Sequence, residues 1–310
     1  MKIIDFFNND LKEETVIALG SFDGLHNGHI RLIDSAIKKA KEMNIKSMVY
    51  TFENHPLTVV NKAIAPKLIM DNKKKLQLLE SMGVDITCLV KFDEDFMKIS
   101  PEDFFRDLYK RYNVRGMVIG FNYRFGHKNA GDVELLKKLC KEYKVELVII
   151  EPQTTEENII SSSSIRSLIK DGNVEKANML LIDPFMLRGT IEHGKKVGKK
   201  IGYPTANLKV DYNYVIPAIG IYYTNVIYDN KIYKGITSVG NNPTLNGEKL
   251  TIETYILDFN KEIYDEEIEL YFIEKTREEI KFSSLEELKI QLKKDEDNAR
   301  AKKIYNINRK

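Results

Sequence analysis

The chain has 310 residues, enough for one large or two ordinary domains, each with its own core. Its 48 Lys and Arg nearly balance 46 Asp and Glu, a formal charge of +2, so bulk electrostatics gives no case for nucleic-acid or membrane partners. Small-molecule partners fit better, and no run approaches the roughly 18 apolar residues of a spanning helix.

The N-terminus, MKIIDFFNNDLKEE, lacks the apolar core of a signal peptide. Cys88 and Cys140 stand far apart and belong to no Cys-x-x-Cys pair, so buried thiols in a reducing, cytoplasmic setting are expected. The apolar run Val16-Ile17-Ala18-Leu19, ended by Gly20, predicts a buried parallel strand. Asp23-Gly24 marks a turn, and Ile30, Ile33, Ala36, Ile37 and Ala40 then recur with a helical period. His26 and His29 therefore fall at a strand-to-helix elbow, three residues apart and able to share one face.

Free N–H groups and the positive end of the dipole at a helix N-terminus favour phosphate, and two imidazoles there add donors. A lone His-x-x-His is also compatible with capping or surface histidines. Gly20, Gly24 and Gly28, which let backbone come close to a ligand, weigh toward a nucleotide site. A zincin would need His-Glu-x-x-His, where this chain has His26-Asn27-Gly28-His29. A dinucleotide fingerprint would need Gly-x-Gly-x-x-Gly, where these glycines are spaced by four.

The alternation continues with a strand at Ser47 to Phe52, running into His55 at its carboxyl end, and a helix from Lys73 to Met82. A strand at Ile86 to Val90 and a helix at Pro101 to Tyr112, with Pro in its first turn, follow. Met117 to Gly120 predicts a short buried strand that opens into a loop rich in aromatic and basic residues, Phe121 to Gly126, suited to substrate contact. Val145 to Ile150 closes the sheet. Ile160-Ser161-Ser162-Ser163-Ser164 then leads to a helix at Ile165 to Lys170 with Arg166 in its first turn. A serine run is often a linker, but hydroxyls at a helix start beside a guanidinium suit a leaving polyphosphate.

A helix at Val174 to Leu181 ends at Asp183-Pro184, where the text turns β-rich, and the domain boundary is read there: 1–182 and 183–310. Gly189, Gly194 and Lys195 approach a phosphate-loop spacing, but Lys196 stands where a hydroxyl is needed, which excludes a P-loop NTPase. Gly202-Tyr203-Pro204-Thr205-Ala206-Asn207 can present short oxygen donors to a hard cation, or can be only a turn. Strands at Ile221 to Tyr228 and Ile232 to Val239, joined by Asp229-Asn230, and at Thr251 to Phe259 and Ile268 to Ile273 predict an antiparallel barrel.

A terminal helix from Ser284 to about Ile304 has Leu285, Leu288 and Leu292 as its apolar stripe and Ser284 with Glu287 as a capping box. Strand alternation puts Glu253 on the face of Tyr255, Leu257 and Phe259. Desolvation on an apolar face raises a carboxylate's pKa toward the range useful to a general base, whereas a frayed strand end would leave Glu253 merely exposed.

The pattern Gly-x-Phe-Asp-Gly-x-His-x-Gly-His at Gly20 to His29 resembles the nucleotidylyltransferase signature. Along nearly its whole length the chain resembles the bacterial bifunctional riboflavin kinase/FAD synthetases. The shared motifs are GSFDGLHNGH, VIGFNYRFG (Val118 to Gly126), ISSSSIR (Ile160 to Arg166), GKKIGYPTAN (Gly198 to Asn207), SVGNNPT (Ser238 to Thr244) and ETYILDF (Glu253 to Phe259). Ser163 stands where Thr is usual, which keeps the hydroxyl. Lys199 stands where Arg is common, which keeps charge but loses bidentate geometry.

The resemblance implies an α/β fold: a Rossmann-like nucleotidylyltransferase domain with a parallel sheet, then an antiparallel β-barrel kinase domain with a terminal helix. It implies two reactions, riboflavin plus ATP to FMN, and FMN plus ATP to FAD plus pyrophosphate, both with Mg2+. It assigns catalysis to Glu253, His26 and His29, and ATP or phosphate contacts to Gly20, Phe22, Asp23, Gly28, Ser162, Ser163, Arg166, Gly194, Lys199 and Thr205. Flavin contacts fall to Asn122 and Phe125, and Mg2+ to Thr205 and Asn207. Partners are then the small-molecule substrates alone, with a monomer or weak oligomer both open. Another small-phosphate nucleotidylyltransferase would leave the second half unexplained, and a catalytically dead flavin sensor would not need His26, His29, Asn207 and Glu253. A class I aminoacyl-tRNA synthetase shares the His-x-Gly-His elbow but would need an RNA-binding surface.

Overall fold

A computed structural model describes residues 1–6, 10–152, 160–194, 198, 201–244 and 247–307. It divides into two compact units. The first holds residues 1–66 and 72–161, and the second holds 67–71 and 162–308. Among the described residues no helix is long and apolar enough to cross a membrane.

The first unit is a six-stranded parallel sheet in the order β1-β4-β3-β2-β5-β6. The strands are β1 (Lys2–Ile4), β2 (Thr15–Leu19), β3 (Lys46–Phe52), β4 (Ile86–Val90), β5 (Val114–Gly120) and β6 (Glu146–Ile150). The helices are α1 (Asn27–Met43), α2 (Leu57–Val60), α3 (Asn72–Ser81), α4 (Glu94–Met97), α5 (Pro101–Arg111) and α6 (Val133–Tyr143). Every residue of β2 is buried, as its unbroken apolar run requires of a strand covered on both faces. β2 pairs with β3 on one side and β5 on the other, so the chain order reverses at β2. Ligand crevices of open parallel sheets lie at the carboxyl ends of such strands. On one face Phe6, Tyr50, Phe96, Phe104, Tyr112 and Phe125 pack into one aromatic-rich core.

Four elements here escape the sequence reading: β1, α6 and the four-residue helices α2 and α4. β1 is a three-residue edge strand, too short to show a period, and α6 hides its apolar stripe, Leu136 and Cys140, among five charged residues. Both thiols are buried, and burial pushes each up to about 12, so neither is reactive at neutral pH.

The second unit begins with α7 (Ser162–Lys170) and α8 (Val174–Leu180). A closed antiparallel barrel follows in the order β10-β11-β8-β7-β12-β9, and α9 (Leu285–Ala301) completes the unit. The strands are β7 (Met186–Glu192), β8 (Thr205–Lys209), β9 (Gly220–Tyr228), β10 (Lys231–Thr244), β11 (Gly247–Ile256) and β12 (Glu267–Arg277). β7 and β8 lie in the Gly- and Lys-rich stretch where the sequence shows no alternation. Asp229 and Asn230, both with positive φ, form the two-residue turn joining β9 to β10.

Candidate active sites

The elbow after β2 is built from side chains that need its glycines. Phe22 is fully buried with φ 47°, and a Cβ on Gly20 would meet its ring at 2.9 Å. A Cβ on Gly28 would press on the His26 imidazole at 3.2 Å. The glycines therefore make room for the elbow's own rings, a more specific reason than open access for a ligand. Gly24 at φ 89° and Leu25 at φ 37° continue the left-handed path, a strained course of the kind found at functional sites.

His26 is the N-cap of α1, and its Nδ1 accepts the His29 N–H at 3.4 Å. The two imidazoles stack, with centroids 3.7 Å apart and planes 19° from parallel, and Phe22 closes edge-on over His29 at 5.2 Å. α1 thus starts at Asn27, three residues before its first apolar position, and both histidines sit at its positive end. Asp23 is buried in the same turn. Two imidazoles and a helix N-terminus are groups whose chemistry suits developing negative charge. His55 serves its own turn, accepting the Leu57 N–H on Nδ1 at 3.2 Å.

In the loop after β5, Asn122 is exposed and Phe125 is 4% exposed. Phe125 packs against Phe104 and stacks on Tyr123, and a Cβ on Gly131 would strike its ring at 2.8 Å. Its visible role is to anchor the loop.

α7 begins at Ser162, earlier than its apolar residues suggest. Ser162 and Ser163 are therefore in its first turn, and Arg166 is in the second rather than the first. Arg166 donates from Nε to the Lys67 carbonyl at 2.7 Å.

The barrel carries a cavity of about 280 Å³. In register, Glu253 of β11 lies between Ser238 of β10 and Asn207 of β8. Thr205 Oγ1 donates to Glu253 Oε2 at 3.3 Å. Thr205, Glu253 and Ser238 line the cavity together with the apolar Ile221, Ile236 and Tyr255. Glu253 is half-buried and shares its face with Tyr255. Leu257, just past the end of β11 at Ile256, still packs with Tyr255, Ile221 and Ile236, whereas the chain turns at Asp258 with φ 56° and Phe259 packs on Tyr228 and Tyr233 instead.

A Cβ on Gly194 would occupy the place of the Asn207 amide, so that amide rests directly on backbone. Lys199 lies outside the described residues. A hydroxyl, an amide oxygen and a nearby carboxylate are the donor types a hard cation takes. Among the described residues no group of three or more His, Cys, Asp or Glu is placed to hold a metal by itself.

α9 covers part of the cavity with Leu288, Leu292 and Asp295, while Leu285 is 62% exposed. The buried face of α9 therefore runs Leu288, Leu292, Asp295, Ala299, with one polar member among the apolar ones. Asp295 is held by Arg277 of β12, at 3.0 and 3.2 Å from Nε and 2.6 Å from Nη2, and by Gln291 at 2.8 Å. The helical spacing of 288, 292, 295 and 299 was the available signal.

A parallel sheet with a histidine elbow at its reversal point, and a closed barrel around a carboxylate-bearing cavity, define a two-unit protein with a candidate site in each unit. Two family models match it: one described as FAD synthetase over residues 8–164, and one described as riboflavin kinase over residues 181–303. Curated relatives named bifunctional riboflavin kinase/FMN adenylyltransferase are 38% identical in Listeria monocytogenes, 34% in Bacillus subtilis and 33% in Escherichia coli. Coverage is 92% of this chain and 91% of the first, and 93% of both chains for the other two. A crystal structure titled macrolide-efflux protein, from Streptococcus pneumoniae, superposes with a TM-score of 0.88 at 33% identity, covering 98% of this chain and 100% of that one. The chain belongs to the bifunctional riboflavin kinase/FMN adenylyltransferase family.

Proposed function

We propose that this chain phosphorylates riboflavin with ATP to give FMN, and adenylylates FMN with a second ATP to give FAD and pyrophosphate. The observation that carries the reading is the row Ser238, Glu253, Asn207 across three barrel strands, with Thr205 bonded to Glu253 at a cavity large enough for part of a flavin. Chemistry divides at Asp183 in this reading, with the kinase in 183–310 and adenylyl transfer in 1–182. The expected cytoplasmic setting is kept.

In the kinase step, Glu253 takes the proton of the ribityl 5′-hydroxyl as its oxygen attacks the γ-phosphorus and ADP leaves. Thr205 orients the Glu253 carboxylate by its hydrogen bond, so the base faces the cavity before substrate arrives. Thr205 and Asn207 would hold Mg2+, which neutralises charge on the phosphates when bound. Gly194 and Lys199 contribute to the phosphate site.

In adenylyl transfer, the FMN phosphate is already an oxyanion and attacks the α-phosphorus of ATP without a base. His26 and His29 stabilise the charge that develops on the phosphates, with Gly20, Phe22, Asp23 and Gly28 shaping the elbow. Ser162, Ser163 and Arg166 take the pyrophosphate, and Asn122 holds the flavin side from the loop that the buried Phe125 anchors. Incubating the purified chain with riboflavin, ATP and Mg2+ and separating the flavins tests the whole reading. FMN followed by FAD is expected, and formation of neither would end it.

A further inference from the structure

The elbow leans on one carbonyl, that of Ser21, which precedes its first left-handed residue. Between Ser21 and His26 the backbone takes positive φ three times, at Phe22, Gly24 and Leu25. A path like this persists only where its surroundings over-determine it. Two side chains from other elements converge on the Ser21 oxygen. The Thr51 hydroxyl of β3 donates to it at 2.9 Å, and the Lys75 ammonium of α3 donates to it at 3.3 Å and to the Phe52 carbonyl at 3.0 Å.

Thr51 is fully buried and Lys75 is 5% exposed. Burying an ammonium group is costly, and lysine is rarely found so deep without a partner that uses its charge. Here the ammonium ties together carbonyls at the carboxyl ends of two adjacent central strands, Ser21 just after β2 and Phe52 as the last residue of β3. Those carbonyls lie where the sheet presents its ligand crevice.

We propose that Thr51 and Lys75 are positioning residues for adenylyl transfer: by fixing the Ser21 carbonyl they hold the left-handed elbow, and with it the stacked imidazoles of His26 and His29. This rests on the reading that the two histidines serve that step. Thr51 and Lys75 act through the backbone and touch no reacting group.

The test uses the full chain and four variants, Thr51→Val, Thr51→Ser, Lys75→Met and His29→Ala, each assayed for FMN adenylylation and for riboflavin phosphorylation. Val keeps the branched shape and loses the hydroxyl, whereas Ser keeps the hydroxyl and loses a methyl. Thr51→Val and Lys75→Met should lose on the order of tenfold to a hundredfold in adenylylation kcat, with KM for FMN and the kinase rate unchanged. Thr51→Ser should stay close to the parent. The reverse order, Ser falling below Val, would show a packing role and overturn the proposal. So would full adenylylation in Thr51→Val while His29→Ala is inactive. An active His29→Ala would instead remove the reading of the elbow, and the proposal with it. Should Lys75→Met fail to fold by circular dichroism, the near-isosteric Thr51 pair still decides.

Discussion

The two sites are made in opposite ways. The elbow compresses its chemistry into ten consecutive residues, Gly20 to His29, and holds it by local backbone strain and ring packing. The barrel cavity gathers side chains from residues 198 to 295, brought together by strand register. A local site survives in the sequence as a string. A site set by register survives as scattered fragments, and a one-residue slip of β11 would turn Glu253 away from Ser238 and Asn207 altogether.

The contrast breaks most sharply if each site can be silenced alone. Glu253→Gln keeps the volume and removes the base, so riboflavin phosphorylation should fall by roughly a hundredfold or more. FMN adenylylation should not change, since that reaction starts from an ionised phosphate. A variant that makes FMN at the parent rate would leave Glu253 as a strand residue only.

The mirror experiment is His29→Ala. Loss of one oriented donor at such a site costs about a hundredfold or more in rate, and it should fall on FAD formation while the kinase is spared. Unchanged conversion of FMN to FAD would remove the elbow from the mechanism.

Much of the fold was legible for the same physical reason that the elbow was. β2 to β6 are apolar runs and most long helices carry a 3.6-residue period, so local pattern and tertiary environment agree. β8 was not legible, because Thr205–Lys209 has one buried residue, Leu208, and so carries no alternating apolar pattern. Asp295 gives no local signal, because its partner, Arg277, is 18 residues away on a strand. Gly20 and Gly28 were legible as glycines, but what they accommodate, the Phe22 and His26 rings, appears only when the chain is folded.

A truncation sharpens the comparison from the side of stability. Residues 67–71 cluster with the barrel: Leu68 exchanges backbone bonds with Asn213 and Val215, and the Asp71 carboxylate takes Arg188 Nε at 2.9 Å and the Tyr214 hydroxyl. α8 is fastened too, through Asn178 bonds to Phe185 and Phe272, each 2.8 Å. A fragment of residues 183–310 should still phosphorylate riboflavin, but Arg188 keeps only its glutamates, Glu267 and Glu269. Arg188 then keeps two of its three carboxylates, so the loss is smaller than the roughly 3 kcal/mol of a fully orphaned buried charge, and the fragment should still unfold at lower temperature than the barrel unit of the full chain. Asp71→Asn in the full chain should reproduce part of that shift, and equal melting of all three would show that the segment contributes nothing.

The smallest expected effect lies at the start of α9, where the capping box is split between two serines. Ser284 Oγ accepts the Glu287 N–H at 3.2 Å, but Glu287 reaches back to Ser283, taking its hydroxyl at 2.8 Å and its N–H at 3.0 Å. Ser284→Ala should cost about 1 kcal/mol, the usual value of an N-cap. The Ser283 hydroxyl, and then its N–H, hold the Glu287 carboxyl below its ordinary value of 4.5. A carboxylate lowered in the folded state adds stability that is present above pH 4.5 and lost as the pH falls through the folded value. Thermal melting of the parent should therefore weaken on acidification below 4.5 by slightly more than melting of Ser283→Ala, whose carboxyl has lost both the hydroxyl and its fixed geometry. Because α9 covers the cavity with Leu288 and Leu292, the same variants should raise KM for riboflavin modestly and leave FMN adenylylation untouched. Identical acid melting curves for the two proteins would show that the split box is geometry without energy.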